Sequence, residues 1–66
     1  MVKVSKKVLE QLETIRSGGT HNMFDYHGVM REAYDSGFHE LVAWMVDNKE
    51  DYGKGIFQGF EEVQQR

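Results

Sequence analysis

Val4, Val8, Leu9, Leu12 and Ile15 recur at three- and four-residue intervals, with Lys6, Lys7, Glu10 and Glu13 between them. That spacing puts the apolar set on one helical face and predicts a first helix beginning after Ser5. Ser5 can cap its N-terminus, and Ser17-Gly18-Gly19 ends it. A second helix is predicted from about Tyr26 to Ser36, with Val29, Met30, Ala33 and Tyr34 toward the core. Asp25 can accept hydrogen bonds from its first free amides, and Met23 or Phe24 can staple the incoming chain to it. Gly28 costs about 1 kcal/mol of helicity relative to alanine. Gly37 can take the left-handed conformation that ends this helix, with Phe38 packing back across the turn.

Phe38, Leu41, Val42, Met45 and Val46 then repeat at helical spacing to about Asn48, and Trp44 lies on the flank of the stripe. Tyr52, Ile56, Phe57, Phe60 and Val63 predict a fourth apolar helix. Gly53, Gly55 and Gly59 weaken it, a cost that close packing of another helix would offset. No segment sustains a period of two, so strands are not expected. The pattern therefore describes an all-α single domain over residues 1–66, a compact bundle of three main helices plus a short C-terminal helix.

Sixty-six residues are few for a self-sufficient core. Below about 70–80 residues, burial barely exceeds the entropy of ordering, and extra support is common. Disulfides are excluded because the chain has no cysteine. Tight helix packing, self-association or a partner must supply the support, and a homodimer is the expected form. The chain is 39% hydrophobic and contains Trp44, three tyrosines and four phenylalanines, which argues against disorder. No apolar run approaches the about 20 residues of a membrane span. The first residues lack the hydrophobic core of a secretory signal, so a cytoplasmic protein is expected.

The net charge of −3 is unevenly spread. Residues 1–33 carry five basic and four acidic side chains, and residues 34–66 carry three basic and seven acidic ones. This is either an ordinary solvated surface or an acidic face that meets a basic partner.

Few residues have the spacing of reactive chemistry. His21 and His27 flank Asp25, but no histidine pair has the i, i+4 spacing of a helical zinc site and no thiolate is available. A metal is not expected. Asp47, Glu50 and Asp51 sit on a polar helix end rather than in an apolar cleft, where carboxylates would acquire separated pKa values. Ser17-Gly18-Gly19-Thr20 is glycine-rich but follows a helix and lacks the lysine of a phosphate loop. The expectation is a protein that is not an enzyme and uses no cofactor.

Residues 29–48 can be aligned on a helix-turn-helix unit. Ala33 then takes the small-residue position of the first helix, Gly37 the turn, and Ala43 and Val46 the buried face of the second. Glu32 falls where an apolar residue is usual. The recognition helix would present His39, Glu40, Trp44 and Asn48, with almost no lysine or arginine to meet phosphates. DNA binding is therefore the alternative to protein binding.

A stripe of methionines and aromatics is usually core, and that reading covers Phe24, Tyr34, Phe38, Phe57 and Phe60. Eight aromatics cannot all be buried in so small a domain. Trp44, Tyr26 and Tyr52 are the ones expected at the surface, where such rings anchor interfaces. The expected partner site is Trp44, Asp47, Glu50, Asp51 and Tyr52, joined by Glu61 and Glu62. Carboxylates there would steer a basic surface that the rings then hold. The competing reading packs Trp44 and Tyr52 on the first helix and leaves the carboxylates merely solvated.

Ile15-Arg16, Thr20, Asn22-Met23-Phe24-Asp25, Val29, Ala33, Gly37-Phe38, Glu40-Leu41-Val42, Tyr52, Ile56-Phe57 and Gly59 together resemble a family of short uncharacterised proteins. These are encoded by phages and prophages of Gram-positive bacteria and form a domain of unknown function. The likeness spans about residues 3–60, with His21, Gly53 and Gly55 as departures. The family carries no known active site, so the resemblance transfers no functional residue. It implies a phage context, in which small proteins without catalytic apparatus bind, and can inhibit, a host protein such as a defence component.

Overall fold

The computed structural model of the chain describes residues 1–19 and 22–63. Four helices follow one another: α1 (Lys6–Gly18), α2 (Tyr26–Asp35), α3 (His39–Asp47) and α4 (Lys49–Gln58). They make a mostly α-helical bundle, as the apolar periodicity predicts. Two three-residue strands, β1 (Val2–Val4) and β2 (Phe60–Glu62), pair in parallel across the ends of the described chain. Val2 faces Phe60, Lys3 faces Glu61 and Val4 faces Glu62.

The strands correct the expectation that none would form. Each contributes too few residues to display an alternating pattern, and its partner lies more than fifty positions away in sequence. The whole helical region is the crossover that a parallel pair requires. The pair extends by hydrogen bonds from Val2 N to Gly59 O (3.0 Å) and from Val63 N to Val4 O (2.8 Å). It ties the N-terminal segment down and puts Val4, 2% exposed, into the core.

The strands also shorten the fourth helix relative to its predicted run to Val63. α4 stops at Gln58 because Gly59 adopts φ 100°, ψ 163°. This region is essentially reserved for glycine. The chain then turns into β2, and the Phe60 ring lies where a side chain at Gly55 would have to be. Gly55 is thus required for close packing, but against an aromatic ring of the strand rather than against another helix.

The other corners follow the local signals. Ser5 Oγ accepts from Val8 N at 3.2 Å, and Asp25 Oδ1 accepts from Gly28 N at 3.1 Å. A Cβ on Gly28 would collide with that capping carboxylate, which accounts for glycine in the first turn. After α2, Gly37 takes φ 76°. Phe38 N bonds to Ala33 O (2.8 Å) and Gly37 N to Tyr34 O (3.1 Å), the two bonds of a Schellman motif.

The start of α3 has no side-chain cap from its own sequence. Gln11 of α1 supplies one. Its Oε1 accepts from Leu41 N at 3.0 Å, and its Nε2 donates to Glu40 Oε1 at 2.9 Å. Donation by Gln11 holds the Glu40 carboxyl below its ordinary range, helped by a backbone hydrogen bond and by Lys7 and His39. Gln11 is the buried polar residue among the described core positions. One amide therefore joins α1 to α3.

Val4, Val8, Leu12, Ile15, Val29, Ala33, Leu41, Met45 and Tyr52 form the core. The α1 stripe behaves as predicted, with Leu9 half-buried. Tyr34, Val46 and Phe57 do not: they are 69%, 63% and 81% exposed. In each case one neighbour about 100° round the helix already occupies the inward direction, namely Ala33, Met45 and Ile56. The buried arc is narrower than the apolar stripe because these helices are only nine or ten residues long and cover little of one another.

No described helix is long and apolar enough to cross a membrane. No group of three metal-ligating side chains comes together among the described residues, and the His21 half of the histidine pair weighed as a metal site lies outside them.

Candidate partner-binding surface

Two large exposed rings, Phe24 and Phe57, meet where the Asn22–Asp25 corner adjoins α4. Asn22 Oδ1 accepts from Phe24 N at 2.9 Å, and Asp25 N donates to Asn22 O at 2.9 Å. This side-chain-closed turn fixes the corner. Tyr52 Oη donates to Met23 O at 2.5 Å and fastens the corner to α4. Tyr26 Oη donates to Met45 O at 2.6 Å and fastens the start of α2 to α3.

The corner turns Met23 toward the core and Phe24 outward. Of the two residues expected to staple this turn, only Met23 packs inward. Phe24 instead meets Phe57 edge-to-face, with ring centroids 5.4 Å apart and planes at 63°. Phe24 is 62% exposed and Phe57 81%. Side by side at that exposure they form a contiguous apolar patch, and such patches often mark interaction sites.

The pair forms a ridge: Phe24 borders two hollows, and Phe57 the smaller of them. One is a cleft of about 420 Å³ whose lining includes Met1, Leu12, Met23, Ile56 and Phe60. Arg16 and Glu13, ion-paired at 2.5 Å, stand on its rim. The other is a hollow of about 130 Å³ lined by Tyr26, Lys49, Tyr52 and Gly53 together with the two phenylalanines. Lys49 Nζ sits 5.4 Å from the Tyr26 ring centroid, and the Tyr26 and Tyr52 rings meet edge-to-face at 5.5 Å. An apolar ridge beside hollows, held on rigid elements, suits burial of a complementary apolar surface. Nothing in it resembles a nucleophile with its base.

The residues expected to form the partner site are split up. Tyr52 is 2% exposed and belongs to the core, so its expected place at the surface is corrected. Its spacing from Ile56 points it inward, and its hydroxyl reaches a backbone carbonyl there. Trp44 is half-buried, with its ring edge-to-face on Phe60 at 5.9 Å. Asp47, Glu50 and the half-buried Asp51 share a shallow depression at the α3–α4 corner. Glu61 and Glu62 lie on β2, and Glu62 shares a separate depression with Lys6 and Lys7.

The helix-turn-helix register is also not the one the structure uses. It needs Ala43 and Val46 buried, and both are exposed. Glu40 is engaged by Gln11, and Asn48 donates to Trp44 O at 2.9 Å.

Burial pushes the Tyr52 hydroxyl up to about 12, and the negative charge of Asp25 adds to the effect. The folded-state value is raised, so protonated Tyr52 contributes its full stability below the ordinary tyrosine value near 10. That contribution is lost as pH rises from there through about 12. Tyr52→Phe is expected to cost about 1 kcal/mol at neutral pH, by stranding the Met23 carbonyl. It should also flatten the alkaline fall in melting temperature relative to the unsubstituted protein. Parallel melting curves at stepped pH check both effects; identical alkaline slopes would contradict the assignment.

Fold and surface together define a small helical domain, closed by a terminal strand pair, that exposes an apolar ridge. The chain belongs to a family described as a domain of unknown function (DUF5049), matched over residues 4–60. No curated protein and no solved structure matches it.

Phe24 and Phe57 are surface residues, although their hydrophobicity alone predicts core positions for both. One signal was available. Gly53 and Lys54 lie four and three residues before Phe57, so its side of α4 lacks the apolar neighbours that would cover it.

Proposed function

We propose that this protein is a small non-enzymatic protein-binding module that docks its partner on the Phe24–Phe57 ridge. The observation that carries the reading is two adjacent phenylalanines, 62% and 81% exposed, beside an apolar cleft of about 420 Å³. Aromatic anchors entering or receiving a complementary pocket are the usual centre of binding energy. Glu50 lies seven residues before Phe57 on α4, hence on the same side two turns away. With Asp47 and Asp51, it supplies negative charge that steers a basic partner surface toward the ridge.

The resemblance to phage and prophage proteins extends the proposal. The protein is phage-encoded, acts in the host cytoplasm, and binds and inhibits a host protein such as a component of antiviral defence. It also self-associates as a homodimer, which adds to the burial available to so short a chain. A DNA-binding role finds little support, since α3 carries no lysine or arginine.

Phe24→Ser with Phe57→Ser tests the docking surface. Both rings are exposed, so folding should change by no more than the about 0.5–1.5 kcal/mol of an aromatic pair. Affinity for a partner captured with the unsubstituted protein should fall by about 30-fold or more, the weight of a hot spot. Asp47→Lys with Glu50→Lys and Asp51→Lys should instead slow association, most clearly at low salt. Affinity unchanged in the double serine variant would refute the ridge as the docking surface.

A further inference from the structure

We infer that the second copy in the homodimer docks on the outer face of the α2–α3 hairpin, away from the Phe24–Phe57 ridge. The inference rests on the self-association proposed above and adds its surface, symmetry and contacts. Two observations carry it: a two-helix apolar face exposed at Tyr34 and Val46, and a charge pair on that face that complements itself.

Met30 and Tyr34 lie four residues apart on α2, and Val42 and Val46 four apart on α3. Met30, Tyr34 and Val42 line one shallow hollow of about 640 Å³, with His27, Arg31 and Asp35 around them. Val46 continues the stripe one turn further along α3. Tyr34 is 69% exposed and Val46 63%. The inward faces of the same helices are occupied by Val29, Ala33, Leu41 and Met45, each 0% exposed. The hairpin therefore has a filled inner side and an outer one on which Met30 and Val42 are half-buried and Tyr34 and Val46 exposed.

The charges select a second copy as the occupant. Arg31 and Asp35 lie four residues apart on α2 at the edge of the hollow, and neither forms an ion pair with another described residue. A two-fold axis crossing α2 at the level of Ala33 runs the two α2 helices antiparallel. Arg31 of each copy then faces Asp35 of the other, giving two equivalent ion pairs. The Tyr34 rings meet near the axis, with Met30 and Val42 beside them. A single-sign rim would repel its own copy; this rim attracts it.

The size of the face sets the strength. Ten residues of α2 span about 15 Å. Two helices side by side are about 20 Å wide. Such a patch is smaller than the roughly 800 Å² per partner of a standard interface, so the dimer is weak and concentration-dependent.

Sedimentation of the full chain from about 1 μM to about 1 mM, bracketing weak association, tests this. The unsubstituted protein should shift from monomer to dimer within that range. Tyr34→Ser with Val46→Ser should leave it monomeric throughout, with an unchanged helical circular-dichroism spectrum because both positions are exposed. Arg31→Asp alone and Asp35→Arg alone should each raise the dissociation constant about tenfold or more, because each places like charges opposite one another. The double exchange, Arg31→Asp with Asp35→Arg, should restore it. A monomer at every concentration would overturn self-association itself. A dimer that ignores these substitutions but disappears in the Phe24→Ser, Phe57→Ser protein would overturn this surface and assign the contact to the ridge. Failure of the charge exchange to restore association would overturn the two-fold arrangement.

Discussion

Gln11→Leu should lower stability by about 2–3 kcal/mol while leaving the shape of the core almost intact. Leucine fills nearly the same volume, so the loss comes from polar accounting rather than from a cavity. The Leu41 amide, at the uncapped start of α3, would lose its 3.0 Å acceptor while its residue stays fully buried. An unpaired buried donor carries its full desolvation cost. Glu40 would lose the Gln11 donor that holds its pKa down, and its carboxyl should titrate closer to the ordinary range. A chain of this length has a total stability of about 3–10 kcal/mol, so the loss is a large fraction of it. The melting temperature should fall by about 10 °C or more. Thermal melts and a carboxylate titration followed by nuclear magnetic resonance read the two effects separately. A melt within about 2 °C of the parent would show that water or a neighbour replaces the amide.

Gly59→Val should cost about 2–3 kcal/mol, through the backbone. The φ of 100° and ψ of 163° at Gly59 strain any residue with a side chain, and β-branching adds to the strain. Its Cβ would lie 2.8 Å from Met1 Cε, a flexible group that can move aside, so backbone conformation is the dominant cost. Relief would come from releasing β2, with loss of the bonds from Val2 to Gly59 and from Val63 to Val4. Amide exchange at Val2 and Val63 should therefore accelerate more than exchange within α1. Gly53→Ala is the contrasting control. That glycine lies in a helix with nothing near its absent Cβ, so alanine should stabilise by up to about 1 kcal/mol. Equal effects at the two glycines would deny Gly59 its special conformation.

The corners of the bundle were legible because their chemistry is local. Ser5 and Asp25 reach amides three residues ahead, and Gly37 with Phe38 closes its turn on Ala33 and Tyr34. The candidate surface was less so. The polar spacing predicts its acidic residues at the surface, and Asp47 and Glu50 are exposed. The rings were exchanged: Tyr52 proved to be core, while Phe24 and Phe57 proved to be surface. Hydrophobicity ranks phenylalanine as the better core residue. Tyr52, however, finds a carbonyl at Met23 that satisfies its hydroxyl, which removes the penalty for burying it.

By itself, then, the sequence determined the helices, the caps at Ser5 and Asp25 and the turn between α2 and α3, since each depends on residues within one or two turns of one another. It also determined that the chain holds more large apolar side chains than its core can cover. Only the tertiary structure decided which of them stay outside. It likewise decided that Val2–Val4 and Phe60–Glu62 pair, and that Gln11 caps a helix some thirty residues away. The physical reason is the same in each case. These outcomes depend on which elements meet in space and how little of a ten-residue helix a neighbour can bury, and neither is written into the spacing along one helix.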